Sequence, residues 1–356
     1  MNKLRVGVIG TGFGSEVQIP AFKANPRVEL VGIASGTPGK ARRIADRFGI
    51  PHAFDDYREL VQIDLDLVSI TTPPFLHHPM TMAALGTGRH VLCEKPMALD
   101  VREAEEMLHE AERREVVHVI DHELRFNPNR RKIRTLVHDG AIGRPRHALI
   151  TVVGPGRSDP ARPWTWWSDA AKGGGILGAL GSHQIDLLRF CLGEIEAACG
   201  TVETYIKERP DPQGGGLRKV TSEDFSAFLL RFQSGAVGTV LLSGVASIQQ
   251  GPRIEIWGDQ GTIVLDQQER LWTGRRGQDL SEVTEPETLE PSPGMEYAKL
   301  WGLSFIRLVR HLVGVILDGQ PVEPAATFRD GLQVQRTMAA VRASAQRGWV
   351  SVSPSS

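Results

Sequence analysis

Lys95 is the lysine whose place in the sequence most suggests chemistry. It follows the apolar segment 90–93 and precedes Pro96, so it lies where a predicted strand ends and a rigid turn begins. A lysine ammonium held there can donate a hydrogen bond to a hydroxyl or carbonyl oxygen of a bound molecule. A surface lysine before a loop has the same local pattern, so position alone leaves both interpretations open.

His183 is the second candidate, on a helix predicted over residues 176–192. Ala179, His183 and Asp186 are spaced i, i+4 and i+7, which places them on one face of that helix. An imidazole at such a place can serve as a general acid or base near neutral pH. A single histidine on a helix is more often a packed core residue, and the pattern does not decide between the two roles.

A glycine-rich turn near the start of the chain predicts a dinucleotide site. The apolar segment 4–9 leads directly into this turn, and Ser15 follows it. Glycines permit a tight turn and let a pyrophosphate approach the main chain, while the start of the following helix offers free N–H groups. The pattern matches G-x-G-x-x-G/A except for its last position, where Ser15 is still small. The residues expected to border the cofactor here are Gly10, Thr11, Gly12, Phe13 and Gly14.

The end of the second predicted strand, residues 28–34, indicates which dinucleotide is bound. In NAD-specific folds of this kind a carboxylate at this point binds the ribose hydroxyls. This chain offers hydroxyls, backbone N–H groups and cations instead, and these suit a 2′-phosphate. The residues concerned are Ser35, Gly36, Thr37, Lys40 and Arg43. We therefore expect NADP(H) to be favoured over NAD(H), although a solvated helix face would also carry such basic residues.

Other strand ends should add polar groups to the same edge of the sheet, where ligands of open α/β sheets bind. The further residues expected to contact the cofactor are Thr71, Thr72, Pro73, His77, Glu94 and Lys95. Weaker candidates for a substrate wall are Arg125, Arg162, Trp164 and Trp166. The tryptophans would serve equally well as core residues, because Trp packs strongly.

The order of predicted elements gives an α/β chain of two domains. Strand and helix patterns alternate up to residue 120, which is typical of a doubly wound parallel sheet of the Rossmann type. We expect a dinucleotide-binding domain over 1–121 and an α+β domain over 122–356 with a large open, mainly antiparallel sheet. Hairpin signals lie at 233–235 and 258–261. The strands predicted in the second domain are 146–153, 197–206, 225–232, 236–243, 253–257 and 262–265.

Composition argues against several classes of partner. The net charge is −1 with acids and bases interspersed, which gives no reason to expect nucleic acid or an anionic membrane. We expect no apolar run of the roughly 18 residues that a membrane span needs, and the first strand begins too early for a signal peptide. Cys93, Cys191 and Cys199 lack metal-type spacing, so we expect reduced thiols in a cytoplasmic protein and no bound metal.

Taken together, these stretches resemble the Gfo/Idh/MocA family of NAD(P)-dependent oxidoreductases over nearly the whole chain. GTGFG at 10–14, TTPPFLH at 71–77, CEKP at 93–96, the glycine–His–Asp helix at 173–186 and DGLQVQ at 330–335 occur in the family's order. The resemblance implies a dinucleotide domain followed by an open-sheet substrate domain, and homodimers or homotetramers joined through that sheet. It also implies that Lys95 contacts the reacting oxygen of a small-molecule substrate and that His183 relays its proton.

One position departs from the family pattern. The family's helix usually has Asp four residues before the histidine, and here that position is Ala179. A methyl group cannot orient an imidazole, and loss of an acid–base partner can lower a rate by on the order of 10²–10⁴-fold. The leading expectation is an NADP(H)-dependent oxidoreductase acting on a hydroxyl or carbonyl of a small polar molecule, such as a sugar or polyol. Two alternatives stay open: a non-catalytic NADP-binding regulator or sensor, and a reductase of an aromatic or conjugated substrate.

Overall fold

The computed structural model describes residues 2–352, which form two compact units. The first unit runs to Asn127 and includes Thr288–Leu332, while the second comprises Pro128–Glu287 and the residues from Gln333 on. The first break lies close to the predicted end of the dinucleotide domain at residue 121. The prediction of one continuous second domain over 122–356 needs correction, because residues 288–332 pack with the first unit.

The elements are numbered here in chain order. The strands are β1 (Leu4–Ile9), β2 (Val28–Ala34), β3 (His52–Phe54), β4 (Leu67–Ile70), β5 (His90–Cys93), β6 (His118–Ile120), β7 (Pro145–Val153), β8 (Ile195–Glu203), β9 (Glu208–Pro210), β10 (Leu217–Lys219), β11 (Phe225–Phe232), β12 (Val237–Ser243), β13 (Pro252–Gly258), β14 (Gly261–Leu265), β15 (Leu271–Arg275), β16 (Ser281–Glu282) and β17 (Val350–Ser351). The α-helices are α1 (Ile19–Lys23), α2 (Lys40–Phe48), α3 (Tyr57–Leu60), α4 (His77–Gly86), α5 (Val101–Arg113), α6 (Pro128–His138), α7 (Ser182–Leu192), α8 (Leu303–Asp318) and α9 (Phe328–Ser344). A π-helical turn precedes α1 at Gly14–Gln18, and another precedes α7 at Leu177–Gly181.

The first unit is built on a parallel sheet whose strands, within residues 2–352, have the order β3-β2-β1-β4-β5-β6. Strand order reverses between β1 and β4, the place where doubly wound sheets bind ligands. The last residues of five neighbouring strands lie in register across this sheet: Ala34, Ile9, Ile70, Cys93 and Ile120. The residues that follow them therefore start from one edge, which confirms the predicted Rossmann arrangement.

Residues 288–332 join the first unit because α8 places apolar side chains in its core. The ring of Phe305 packs edge-on against Phe22 of α1, with centroids 5.6 Å apart. Farther along the same segment, the N–H of Ile120 in β6 donates to the carbonyl of Ala326 at 2.8 Å. The sequence did not reveal this packing, because the apolar stripe of a helix does not indicate which sheet will cover it.

One helical segment, Lys299–Asp318, is long and apolar enough to cross a membrane by length and composition alone. This corrects the expectation that no apolar run reaches that length. Most of the segment is buried, and Leu308, Val309 and Leu312 belong to the core of the first unit. A buried core helix passes the same test, so the segment is weak evidence for a membrane span.

The second unit is built on a sheet with the order β16-β15-β14-β13-β7-β12-β11-β8-β17 among the described residues. Its neighbouring strands pair antiparallel, except that β7 and β12 are parallel. Strand β11 has the predicted bounds, and the two predicted hairpin turns join β11 to β12 and β13 to β14. The predicted α/β fold class, with its open and mainly antiparallel second sheet, is confirmed. The short and mostly polar strands β9, β10, β16 and β17 were not predicted.

Candidate functional site

The glycine turn is shaped by its contact with Thr71, the residue that follows β4. Gly10 has φ of +118°, a conformation that side-chain-bearing residues rarely adopt. A Cβ atom on either Gly10 or Gly14 would lie 2.4 Å from the Thr71 Oγ1 atom, so both positions require glycine. By contrast, no atom lies within 4 Å of the place where a Cβ of Gly12 would stand. The turn is therefore closed on its inner side and open in front of Gly12.

The open side of the turn fits an anionic group. The N–H groups of Ser15 and Glu16 donate to the carbonyl of Gly12, so a helix begins directly at the turn. The first N–H groups of a helix lack partners within it, and the helix N-terminus has a partial positive charge. The space in front of Gly12, at the start of this helix, therefore suits the pyrophosphate of a dinucleotide, which Thr11 and Phe13 would border.

The residues predicted to bind a 2′-phosphate lie just beyond β2 and at the start of α2. Ser35 is buried, and its Oγ lies 3.4 Å from the Thr11 Oγ1 atom and accepts from the Thr37 N–H at 3.3 Å. This contact places the end of β2 beside the glycine turn. Lys40 opens α2 and Arg43 lies three residues later, and no ion pair of either is recorded within residues 2–352. Gly36 is exposed.

His77 connects two turns of the first unit. Its Nδ1 lies 2.9 Å from the carbonyl oxygen of Pro96, and its Nε2 lies 2.7 Å from that of Thr72. Burial lowers the pKa of His77, although the carbonyl contacts oppose this effect. The imidazole thus joins the Thr72–Pro73 turn to the turn that contains Lys95. Both of its nitrogens face main-chain oxygens, which suits a residue that positions Lys95 better than one that contacts the cofactor.

Lys95 lies next to a buried polar network that the sequence patterns did not indicate. Its N–H donates to the Glu94 carboxylate at 3.2 Å, and its peptide bond to Pro96 is cis. The Gln18 side-chain amide donates to Glu94 at 3.3 Å and to Asp121 at 2.9 Å. The hydroxyl of Ser69 in turn donates to the Gln18 side-chain oxygen at 2.6 Å. Residues from four separate parts of the chain therefore fix the Glu94 carboxylate.

The two buried carboxyls of this network differ in charge. Burial raises the pKa of Glu94, while the adjacent Lys95 ammonium opposes that change. Burial raises the pKa of Asp121 well above its usual range, and the carboxylates of Glu123 and Glu94 raise it further. Asp121 therefore holds a proton and donates a hydrogen bond to Glu94. Glu94 is left as the negative partner of Lys95.

Ala179 and His183 belong to the second unit, on the helical segment formed by the turn Leu177–Gly181 and α7. A Cβ on Gly175, whose φ is +115°, would lie 2.4 Å from the Glu223 Oε1 atom, and the same oxygen accepts from the N–H of Leu177 at 3.1 Å. Glu223 thus fixes the start of this helix, which explains the glycine run in the sequence. His183 is 2 % exposed and lies one helical turn after Ala179.

A cavity of about 230 Å³ lies beside Ala179 in the second unit. Arg157, Trp167 and Arg209 are among its lining residues. The guanidinium carbon of Arg157 lies 4.1 Å from the centre of the Trp167 ring, a cation–π arrangement. Burial lowers the pKa of Arg157 to about 10, and the nearby Arg162 and Arg209 cations add to the effect. The cavity wall therefore combines an apolar ring with two arginine cations, and it also includes the carboxylates of Glu223 and Asp224.

The predicted tryptophans do not form one aromatic wall. Trp164 is 7 % exposed, and its indole N–H donates to the carbonyl of Lys219 at 3.0 Å, so it packs against β10. Trp166 is half-buried, with its ring centre 5.1 Å from that of Trp167. Of the three neighbouring tryptophans, Trp167 lines the cavity in the described part of the chain. Trp167 directly follows Trp166 in the sequence but was not predicted as a site residue.

The predicted arginines are also held away from that lining. Arg162 is exposed and donates to the carbonyl of Gly156. Arg125 belongs to the first unit, where it is buried and forms an ion pair with Asp330 at 3.1 Å. Arg157 was not predicted from the sequence. Its sequence neighbourhood is distinctive only in that Arg157 directly follows a Gly-Pro-Gly sequence after β7. Arg209 was not predicted either, and the sequence carries no signal for it.

Comparison with known proteins agrees with this geometry. The family model described as "Oxidoreductase family, NAD-binding Rossmann fold" matches residues 4–122, and the GFO/IDH/MocA C-terminal domain matches residues 130–264. The chain is 32% identical to an uncharacterised oxidoreductase of Synechocystis sp., over 98% of this chain and 96% of the relative. It is 29% identical to levoglucosan dehydrogenase of Pseudarthrobacter phenanthrenivorans over 99% of both chains. It is 27% identical to myo-inositol 2-dehydrogenase of Thermotoga maritima over 74% of this chain and 75% of the relative.

The likeness extends to three dimensions. A structure of levoglucosan dehydrogenase in complex with NADH matches with a TM-score of 0.90 and 28% identity, over 99% of this chain and 100% of the other. The predicted oxidoreductase class and nicotinamide-binding domain are thereby confirmed, while NADP(H) preference and the roles of individual residues stay predictions. The chain belongs to the Gfo/Idh/MocA family of oxidoreductases, whose N-terminal domain is an NAD-binding Rossmann fold.

Proposed function

We propose that the protein is a dehydrogenase that prefers NADP(H) and acts on a hydroxyl or carbonyl of a small sugar, polyol or derivative. The observation that carries this proposal is the common edge of the first sheet, from which both the open glycine turn and the Glu94–Lys95 turn begin. The relatives named for levoglucosan and myo-inositol support a substrate with several hydroxyl groups.

In this mechanism the bound nicotinamide supplies or accepts the hydride. Lys95 donates a hydrogen bond to the reacting oxygen, which stabilises negative charge there while the carbon changes oxidation state. Glu94 holds the start of the Lys95 turn through its contact with the Lys95 N–H. His183 removes the hydroxyl proton during oxidation and returns it during reduction. Ala179 supplies no carboxylate one turn before His183, so the imidazole works without the family's usual partner on that helix face.

The preference for NADP(H) is supported by the groups around the end of β2. The Ser35 hydroxyl and the cations at the start of α2 favour a phosphate. One carboxylate, Asp55, lies in this region and accepts from the Gly39 N–H at 3.1 Å. Titration of the protein with NADPH and NADH, followed by nicotinamide fluorescence, tests the preference. Tighter binding of NADH would refute it.

One observation favours a second candidate function, a nucleotide-binding sensor without turnover. Ala179 removes the usual acid–base partner of His183, and a sensor has no need of one. The two functions differ in turnover, which is measured as NADPH formation from NADP⁺ with a panel of sugars, inositols and polyols. Turnover at ordinary enzymatic rates excludes the sensor. Tight NADPH binding without turnover across the panel would replace the dehydrogenase with the sensor.

We also propose that the protein forms homodimers or homotetramers through its open sheet. Residues alternate in burial along β11, and the outward set includes Ala227 and Leu229, of which Leu229 is 37 % exposed. Leu241 of β12 pairs with Ala227 and is also half-exposed, so the outer face carries apolar side chains. Light scattering on the wild type and on Leu229→Lys tests this, since the added charge should shift the protein toward monomer.

The free thiols Cys93, Cys191 and Cys199 support the expectation of a cytoplasmic location.

A further inference from the structure

The cavity beside Ala179 contains an arginine, Arg157, for which no carboxylate partner is recorded in the described part of the chain. Arg157 is half-buried, and the Trp167 ring is the one contact recorded for its guanidinium within residues 2–352. Its neighbour Arg209 is 3 % exposed and donates to the carbonyls of Asp159 and Arg157, both at 2.6 Å. Main-chain carbonyls satisfy the hydrogen bonds of Arg209, and the carboxylates of Asp224 and Asp159 oppose the lowering of its pKa by burial. Within residues 2–352 no carboxylate acts in this way on Arg157, and a partly buried cation is costly unless a counter-charge is available.

The carboxylates that line the same cavity are occupied elsewhere. Glu223 accepts from the N–H of Leu177 and pairs with Arg342 at 3.5 Å. The two carboxylate oxygens of Asp224 accept from the N–H groups of Tyr205 and Ile206 at 2.8 and 2.9 Å. Each carboxylate thus has its own donors, and neither is paired with Arg157 in the described residues. Among the described residues, the charge of Arg157 is therefore the one at this cavity that is left for a ligand.

Ala179 changes the charge of the cavity in the same direction. It is a lining residue, so an aspartate at this position would add a negative charge to the wall. With alanine there, an anionic ligand that approaches Arg157 meets no such repulsion. The volume of about 230 Å³ is below the roughly 300–1,000 Å³ typical of sites for drug-sized ligands. It suits a small molecule.

We propose that this cavity binds the anionic group of an acidic sugar or polyol, a carboxylate or a phosphate, which forms an ion pair with Arg157 above the Trp167 ring. The inference rests on the proposed dehydrogenase function and narrows its substrate class from polyols in general to acidic ones. An arginine fork can bind either oxyanion through two parallel hydrogen bonds. Arg157, which lines the cavity and contacts the Trp167 ring, distinguishes acidic ligands from neutral ones, while hydroxyl contacts distinguish one sugar from another.

Calorimetric titration of the full-length protein with glucuronate, glucose 6-phosphate and glucose tests the proposal. At least one of the two acids should bind tenfold or more tightly than glucose, and the tighter acid identifies the anion as carboxylate or phosphate. Arg157→Gln should weaken that acid roughly ten- to hundredfold, the range expected for a hydrogen bond to a charged group. Arg157→Lys should retain part of the affinity, and Ala179→Asp should weaken the acid more than it weakens glucose.

Arg231→Gln provides the matched control, because Arg231 lies 4.3 Å above the ring of Trp349 but does not line the cavity. It should leave acid binding unchanged. Equal affinity for glucose and the acids, absence of acid binding at low ionic strength, or full acid binding by Arg157→Gln would each overturn the proposal. Turnover of neutral sugars without acid binding would refute this inference alone. Acid binding to a protein that turns over no sugar would refute the dehydrogenase function and leave the anion site standing.

Discussion

Replacing Asp121 with asparagine should stabilise the protein at pH 8 and flatten the dependence of its stability on pH. Asp121 is fully buried, accepts from Gln18 at 2.9 Å and keeps its proton while it donates a hydrogen bond to Glu94. Asparagine keeps an acceptor for Gln18 and a donor for Glu94, and it cannot ionise. The substitution therefore removes a titration while preserving the hydrogen bonds.

The size and sign of the effect follow from proton linkage. The pKa of Asp121 is raised above its usual value of 3.8, first by burial and then by the neighbouring carboxylates. Between the unfolded and the folded pKa, the folded protein retains a proton that the unfolded chain has lost. The free energy of unfolding then falls by about 1.4 kcal/mol for each pH unit, and the fall stops at the folded pKa. Over the part of the range from pH 5 to pH 8 that lies below the folded pKa, the wild type should lose stability through this group at this rate.

Urea unfolding followed by circular dichroism at pH 5, 6.5 and 8 measures this difference. The advantage of Asp121→Asn over the wild type should grow with pH and level off at the folded pKa of Asp121. Asp46→Asn is the control, because Asp46 lies on the surface of α2 in an exposed pair with Arg42. An identical pH slope in the wild type and in Asp121→Asn would refute the assignment of a retained proton to Asp121.

Four further substitutions probe the first unit. Gly12→Ala should leave the melting temperature unchanged but weaken NADPH binding, because its methyl group fills the open side of the turn. Gly14→Ala should instead destabilise the protein by about 1–3 kcal/mol, because its methyl group overpacks against Thr71. Equal melting temperatures of the two variants would contradict this. His77→Phe should destabilise the protein by about 1–3 kcal/mol, since it removes the imidazole N–H that donates to a buried carbonyl, that of Pro96 or that of Thr72, and wild-type stability would refute the bridging role. Ser35→Asp should weaken NADPH binding at least tenfold relative to NADH, because a carboxylate repels the 2′-phosphate; an unchanged ratio of the two dissociation constants would count against the predicted phosphate site.

The features that the sequence revealed are local ones. The glycine turn, the alternation of strands and helices, and strand β11 follow from spacing and turn residues that lie close together in the chain. The start of α5 is also set by residues close together in the chain, since the Asp100 side chain accepts from the Glu103 N–H at 2.8 Å. Such signals need no knowledge of the tertiary fold.

The features that the sequence concealed depend on contacts between distant residues. Gln18, Glu94 and Asp121 form one network only because the strand ends of a parallel sheet meet at one edge. The packing of α8 in the core of the first unit depends on which apolar surface the other elements leave uncovered. The charge of the cavity depends on the carboxylates of Glu223 and Asp224, which accept from backbone N–H groups and are not paired with Arg157 in the described residues. None of these relations leaves a periodic pattern in the chain.

The central claim is that this chain catalyses hydride transfer with Lys95 at the reacting oxygen, and Lys95→Met tests it most directly. NADPH binding and NADP⁺ reduction should be measured for the wild type and the variant with the same panel of neutral and acidic polyols. The account predicts wild-type turnover, a variant Kd for NADPH within a few-fold of wild type, and a loss of turnover of at least about 10²-fold. Full activity of Lys95→Met, or failure of the wild type to bind either nicotinamide cofactor, would contradict it.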